Sequence, residues 1–141
     1  MISLQDYWMG RDRAFPMAMS PDLEKNAALM IELANKLVLI AQTAAIYLPP
    51  HPRTNSIVSS GWRPASVNAS TPNAAPISKH MTGQAIDLYD PDGDLDEWLL
   101  TADGQKVMAD LGLWQEHPAS TKNWAHLQSV PPRSGRRTFF P

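Results

Sequence analysis

Apolar residues at Leu23, Ala27, Met30, Ile31, Ala34, Leu37, Val38 and Ala41 recur at steps of three and four. That spacing predicts one face of an α-helix of about six turns. Ser20 is placed to cap it, Pro21 suits its first turn, and Asp22 and Glu24 favour the positive end of its dipole. Pro49-Pro50 stops the segment. Glu24, Lys25, Asn26, Glu32 and Asn35 give it an ordinary wet face, so it is expected to cover a sheet rather than meet a membrane.

Shorter patterns follow. Ile57 to Gly61, Gln84 to Tyr89, Leu113 to His117 and Trp124 to Val130 each read as a strand, and Leu95 to Leu100 and Asp103 to Leu111 as helices. Ala65 to Ala69 fits a single helical turn, and Ser70 to Ile77, rich in Pro, Asn and Ala, is a long loop. Asp90-Pro91-Asp92-Gly93-Asp94 is acidic but lacks the spacing of a calcium loop, so it is expected to be a turn with Asp94 capping the next helix. Met1 to Met19 shows no clear period and is expected to be an irregular arm that packs Tyr7 and Trp8 onto the body. The order of elements implies an α+β fold: a small antiparallel sheet carrying the site, covered by helices. One domain is expected over 1–141, with an N-terminal arm at 1–19, a helical cover at 20–48, a core at 56–130 and a basic tail at 131–141. A monomer is expected.

Composition narrows the picture. The chain has 141 residues, ordinary apolar content and a formal net charge of −2, which argues against nucleic acid as a partner. No apolar run is long enough to span a bilayer. Met1 to Gly10 has neither the basic nor the apolar part of a secretory signal, so none is expected. With no cysteine, disulfides are excluded and any metal site must draw on His, Asp and Glu.

The chemistry is concentrated in Ser78-Lys79-His80-Met81-Thr82-Gly83-Gln84-Ala85-Ile86-Asp87, a loop feeding a strand. An imidazole nitrogen from His80 and a carboxylate oxygen from Asp87 suit Zn²⁺, but a catalytic zinc needs three protein ligands. His126, in Trp124-Ala125-His126-Leu127-Gln128, offers the third from a second strand.

Ser78, His80, Gly83, Ala85 and Asp87 form S-x-H-x-x-G-x-A-x-D, followed by W-x-H at Trp124 and His126 and preceded by Gly61-Trp62-Arg63. In this the chain resembles the zinc D-Ala-D-Ala carboxypeptidases and phage endolysin peptidases, which share a fold with hedgehog signalling domains and lysostaphin-type peptidases. The resemblance spans Ser59 to Gln128, roughly half the chain; three motifs in order are far more specific than one. It implies His80, Asp87 and His126 as zinc ligands and a D-amino-acid-containing peptidoglycan stem peptide as substrate. It implies either a D-Ala-D-Ala carboxypeptidase or an L-Ala-D-Glu endopeptidase, of phage type, reaching the wall after release or within a phage particle.

In that family a Glu or Asp often stands three residues before the last histidine; here the position holds Asn123, which accepts no proton. Glu116 is the nearest upstream carboxylate, and it reaches the metal as general base if its strand pairs antiparallel with that of His126. Arg63 matches the family arginine, expected to hold a substrate carboxylate or an oxyanion. Ser78, His117 and Gln128 are candidate substrate contacts, Gln128 sharing the strand face of His126. His51 is expected to be solvated in its loop, and Arg133, Arg136 and Arg137 to belong to a solvated tail. The competing expectation, which Asn123 keeps open, is a zinc-binding wall or phage structural module without turnover.

Overall fold

The computed structural model describes residues 1–141 as a mixed α+β fold built on one five-stranded sheet. The strands are β1 (Val58–Ser60), β2 (Ala85–Tyr89), β3 (Trp114–Glu116), β4 (Trp124–Gln128) and β5 (Thr138–Phe139), in the spatial order β1-β2-β4-β3-β5. The helices are α1 (Leu4–Trp8), α2 (Arg11–Ala14), α3 (Pro21–Thr43), α4 (Ala65–Ala69), α5 (Asp94–Leu100) and α6 (Ala102–Leu111).

α3 follows its sequence pattern closely. The Ser20 hydroxyl accepts from the Leu23 amide at 3.1 Å, Pro21 opens the first turn, and Leu23, Ala27, Met30, Ile31, Ala34, Leu37 and Ala41 are buried. They meet Ile86 and Leu88 of β2 and Ala125 and Leu127 of β4 in a single core cluster. Alternation in the strands then turns Asp87, Tyr89, Trp124, His126 and Gln128 to the opposite face of the sheet.

Four expectations need correction. The sheet is not wholly antiparallel: β5 joins β3 in parallel, with Gln115 beside Thr138 and Glu116 beside Phe139. The segment 131–141 is therefore no loose tail. Arg137 donates to the Leu113 carbonyl at 2.9 Å and lies over the Trp114 ring. Nor is the arm irregular: α1 begins with a capping box between Ser3 and Asp6. Tyr7 and Trp8 are buried as expected. Finally, Asp94 is the first residue of α5 and not its cap. Asp90 takes that role, its carboxylate accepting from the amides of Leu95 and Asp96.

Behind the sheet, the core face of β3 carries a polar residue. Buried Gln115 donates to Asp96, which also accepts from Thr121. Burial pushes the Asp96 carboxyl up to about 6, against the pull of these two hydrogen bonds. No helix is long and apolar enough to cross a membrane.

Candidate metal centre

The site is a row across the sheet. Ser60 pairs with Asp87, Asp87 with His126, and Glu116 with Phe139. Trp114 opposite Gln128 and Gln115 opposite Leu127 set the β3–β4 register, which carried one step further puts Glu116 opposite His126. The condition for Glu116 to reach the site, antiparallel pairing of β3 and β4, is met. Its Oε2 lies 4.0 Å from His126 Nδ1.

His80 comes from outside the sheet. The loop that carries it turns at Gly83, whose φ of +75° favours glycine and where a side chain would press on Leu23 and Ala27 of α3. His80 is buried, with Nε2 3.2 Å from Asp87 Oδ1 and Nδ1 2.7 Å from the Gly61 carbonyl. His126 Nδ1 lies 2.8 Å from the same Asp87 oxygen, and its Nε2 faces Gln128 Oε1 at 3.4 Å. The Gln128 amide is oriented by its own NH₂ donating to the Val130 carbonyl at 2.8 Å.

These outer contacts leave one nitrogen of each ring for the interior. The Gly61 carbonyl accepts from His80 Nδ1, and Gln128 Oε1 faces His126 Nε2, so a metal ion would meet His80 at Nε2 and His126 at Nδ1. Those two nitrogens and a carboxylate oxygen converge, each ligand atom within 4.8 Å of the others. A proton or a metal ion between them offsets the repulsion of their lone pairs. The group could hold a metal ion, and the donor set of two imidazoles and one carboxylate fits zinc chemistry with a fourth position left open.

Electrostatics agree. Burial raises the Asp87 carboxyl, but the two imidazoles outweigh it and hold Asp87 well below the usual carboxylate range. Burial depresses His80 more than Asp87 restores it. His126 is also disfavoured as a cation by burial, yet Asp87 and Glu116 together carry it above the ordinary value. Glu116 is raised by burial and by Asp87, with His126 opposing.

The N-terminal arm braces this arrangement. The Tyr7 carbonyl accepts from the Trp62 amide at 3.1 Å, Met9 Sδ accepts from the Gly61 amide, and Arg11 donates to the Trp62 carbonyl at 2.6 Å. Gly61 is packed so tightly on Tyr7 that a side chain there would meet the Tyr7 carbonyl. The arm thus fixes the carbonyl that fixes the His80 ring. Nothing in the sequence of 1–19 advertises this, because each contact ends on a backbone atom of Gly61 or Trp62 far along the chain.

Around the row is a cleft of about 910 Å³. No protein-family model, curated protein or solved structure matches the chain.

The other expected residues divide. Arg63 lines the cleft, forms no ion pair with a carboxylate, and donates to Ser78 Oγ at 3.2 Å. Ser78 is buried and also accepts from the His80 amide, so it ties the arginine to the ligand loop. Gln128 lines the cleft behind His126. His117 is not among the cleft residues: its Nδ1 accepts from the Ala119 amide and its ring stacks on Phe140 at 4.4 Å. His51, expected to be solvated, packs edge-on against Tyr89 at 4.7 Å and does line the cleft. Asn123 lies at the cleft edge in a left-handed turn, φ +75°, a conformation asparagine tolerates better than most residues. Phe139, edge-on to His126 with ring centres 6.3 Å apart, is a cleft residue that the sequence did not single out.

Proposed function

We propose that the chain is a zinc peptidase of the hedgehog/DD-peptidase type that hydrolyses a peptide bond in bacterial peptidoglycan stems. The observation that carries the reading is the convergence of His80 Nε2, His126 Nδ1 and an Asp87 oxygen at the floor of an open cleft, with a second carboxylate, Glu116, beside them. The S-x-H-x-x-G-x-A-x-D and W-x-H motifs supply the substrate class. His80, Asp87 and His126 would hold the ion, with Gly61 and Gln128 orienting the two rings. Zinc held there supplies a Lewis acid and lowers the pKa of water toward ~7.

Glu116 does the proton work. Its half-buried position beside Asp87 favours the protonated form more than in water, which suits a group that takes a proton from water and returns it to a leaving amine. Arg63 lines the same cleft with no carboxylate partner of its own, and its guanidinium is available to a substrate carboxylate or a developing oxyanion. Ser78 keeps that guanidinium in place.

A metal-holding module without turnover is favoured by one feature, Asn123 where related motifs carry an acid. Glu116 supplies from β3 what Asn123 does not. The test is amine release from a synthetic stem peptide by protein loaded with one equivalent of zinc and by protein stripped with chelator. Release only in the presence of zinc is expected. Stoichiometric zinc with no release from carboxypeptidase or endopeptidase substrates would leave the module.

A further inference from the structure

The chain is net acidic, but its charges are segregated. Five of its twelve Lys and Arg side chains line the cleft: Arg53, Arg63, Lys79, Lys122 and Arg133. Only two of its fourteen acids do, Asp87 and Glu116, and both belong to the metal row. None of the five cations is ion-paired within the chain.

Strand direction sorts four of these cations. β1 runs antiparallel to β2, so the residues after Ser60, Arg63 among them, lie toward the Ala85 end of β2. Gln128 pairs with Ala85, so Arg133, beyond β4, lies toward that end too. Arg53 precedes β1 and Lys122 precedes β4, which puts both toward the other end, where Tyr89 pairs with Trp124. Asp87 and His126 sit at mid-strand, between the two groups. Tyr89 and Trp124 follow them on the same face at a two-residue step, about 7 Å along the strands. His51 packs on Tyr89 and completes an aromatic floor, beside which Arg53 and Lys122 are exposed.

We propose that Arg53 and Lys122, over the floor formed by Tyr89 and Trp124, form a second carboxylate-binding subsite on the opposite side of the metal row from Arg63. The proposal rests on the peptidase reading and names its substrate more closely: a peptide with anionic groups on both sides of the bond, one of them about two extended residues from it. Cations left unpaired at a cleft wall attract such a group at little desolvation cost, and the aromatic faces take the apolar stretch of chain that bears it.

The test uses zinc-loaded protein carrying Glu116→Gln, so that binding is read without turnover. Isothermal titration compares the tetrapeptide L-Ala-γ-D-Glu-L-Lys-D-Ala with a form whose free carboxyls are amides. The free acid is expected to bind more tightly, with affinity falling as salt rises. Adding Arg53→Ala and Lys122→Ala is expected to weaken the free acid about fivefold or more and leave the amide unchanged. Adding Arg53→Glu and Lys122→Glu in their place should make the amide the better ligand. Equal binding of both peptides, no binding of either, or an acid preference untouched by the double substitution would overturn the subsite. Cleavage by the parent protein is scored separately. Cleavage without acid preference removes the subsite and leaves the peptidase; acid preference without cleavage removes the peptidase and leaves the subsite.

Discussion

Asp87 and His126 are direct register partners on β2 and β4, and the Asp87 carboxylate lies 2.8 Å from His126 Nδ1. His80 Nε2 approaches the same carboxylate oxygen, and the three together could hold a metal ion. Asp87→Ala or His126→Ala should therefore reduce zinc content from about one equivalent to near zero, read by elemental analysis of dialysed protein. Asp87→Asn keeps the shape and removes the charge, and should weaken zinc by at least about tenfold. Full zinc in either alanine variant, or an unchanged zinc affinity in Asp87→Asn, would contradict the ligand assignment.

Removal of the metal should also loosen the fold. An ion bound a thousandfold above its dissociation constant adds about 4 kcal/mol to the folded state. For a chain of this size that is roughly 10 °C of melting temperature. Scanning calorimetry with and without chelator measures it, and His80→Ala should melt at the same temperature under both conditions.

Gly61→Ala tests the brace from the arm. A methyl there meets the Tyr7 carbonyl, so either α1 or the Gly61 carbonyl must move. A cost of about 2–3 kcal/mol is expected, together with weaker zinc binding, because the His80 ring loses its fixed partner. Denaturant melts and zinc titration read the two effects. A variant destabilised but with unchanged zinc affinity would show that the arm supports the fold without orienting His80.

Asp96 gives a pH dependence of the opposite sign to that of most carboxylates. Its folded value is raised to about 6 from 3.8, so the native state keeps a proton that the unfolded chain loses first. The contribution is complete below pH 4, declines as the pH rises toward 6, and is flat above that. The loss is of the order of 2–3 kcal/mol. Asp96→Asn should remove this slope, seen as the difference between variant and parent in urea melts at pH 4.5 and pH 7. Parallel melts for both proteins would contradict the burial argument.

The sequence carried the candidate ligands because they stand in two short motifs. His80, Gly83 and Asp87 lie within one loop and strand, and His126 and Gln128 share a face of a second strand; the motif resemblance, not spacing, joined the two. α3 was legible from its own period. What the sequence hid depends on partners far along the chain. Phe139 is in the site only because β5 pairs with β3, and a two-residue strand leaves no periodic signal. The arm acts through the Tyr7 carbonyl, the Met9 sulfur and the Arg11 guanidinium on backbone atoms more than fifty residues away, which no local period encodes. The net charge of −2 concealed a cationic cleft, since a sum over the chain says nothing of where charges gather. Adjacency to Glu116 in sequence did not show that His117 lies past the end of β3, with its ring stacked on Phe140.

The most direct measurement is mass spectrometry of purified peptidoglycan after incubation with zinc-loaded protein, beside its Glu116→Gln variant. The account predicts new amine ends at one stem-peptide bond from the parent protein. It predicts a rate lower by about 10²–10⁴-fold from the variant, with zinc retained by both. Equal cleavage by both proteins would remove Glu116 from the mechanism, and intact walls after treatment with fully zinc-loaded parent protein would contradict the peptidase itself.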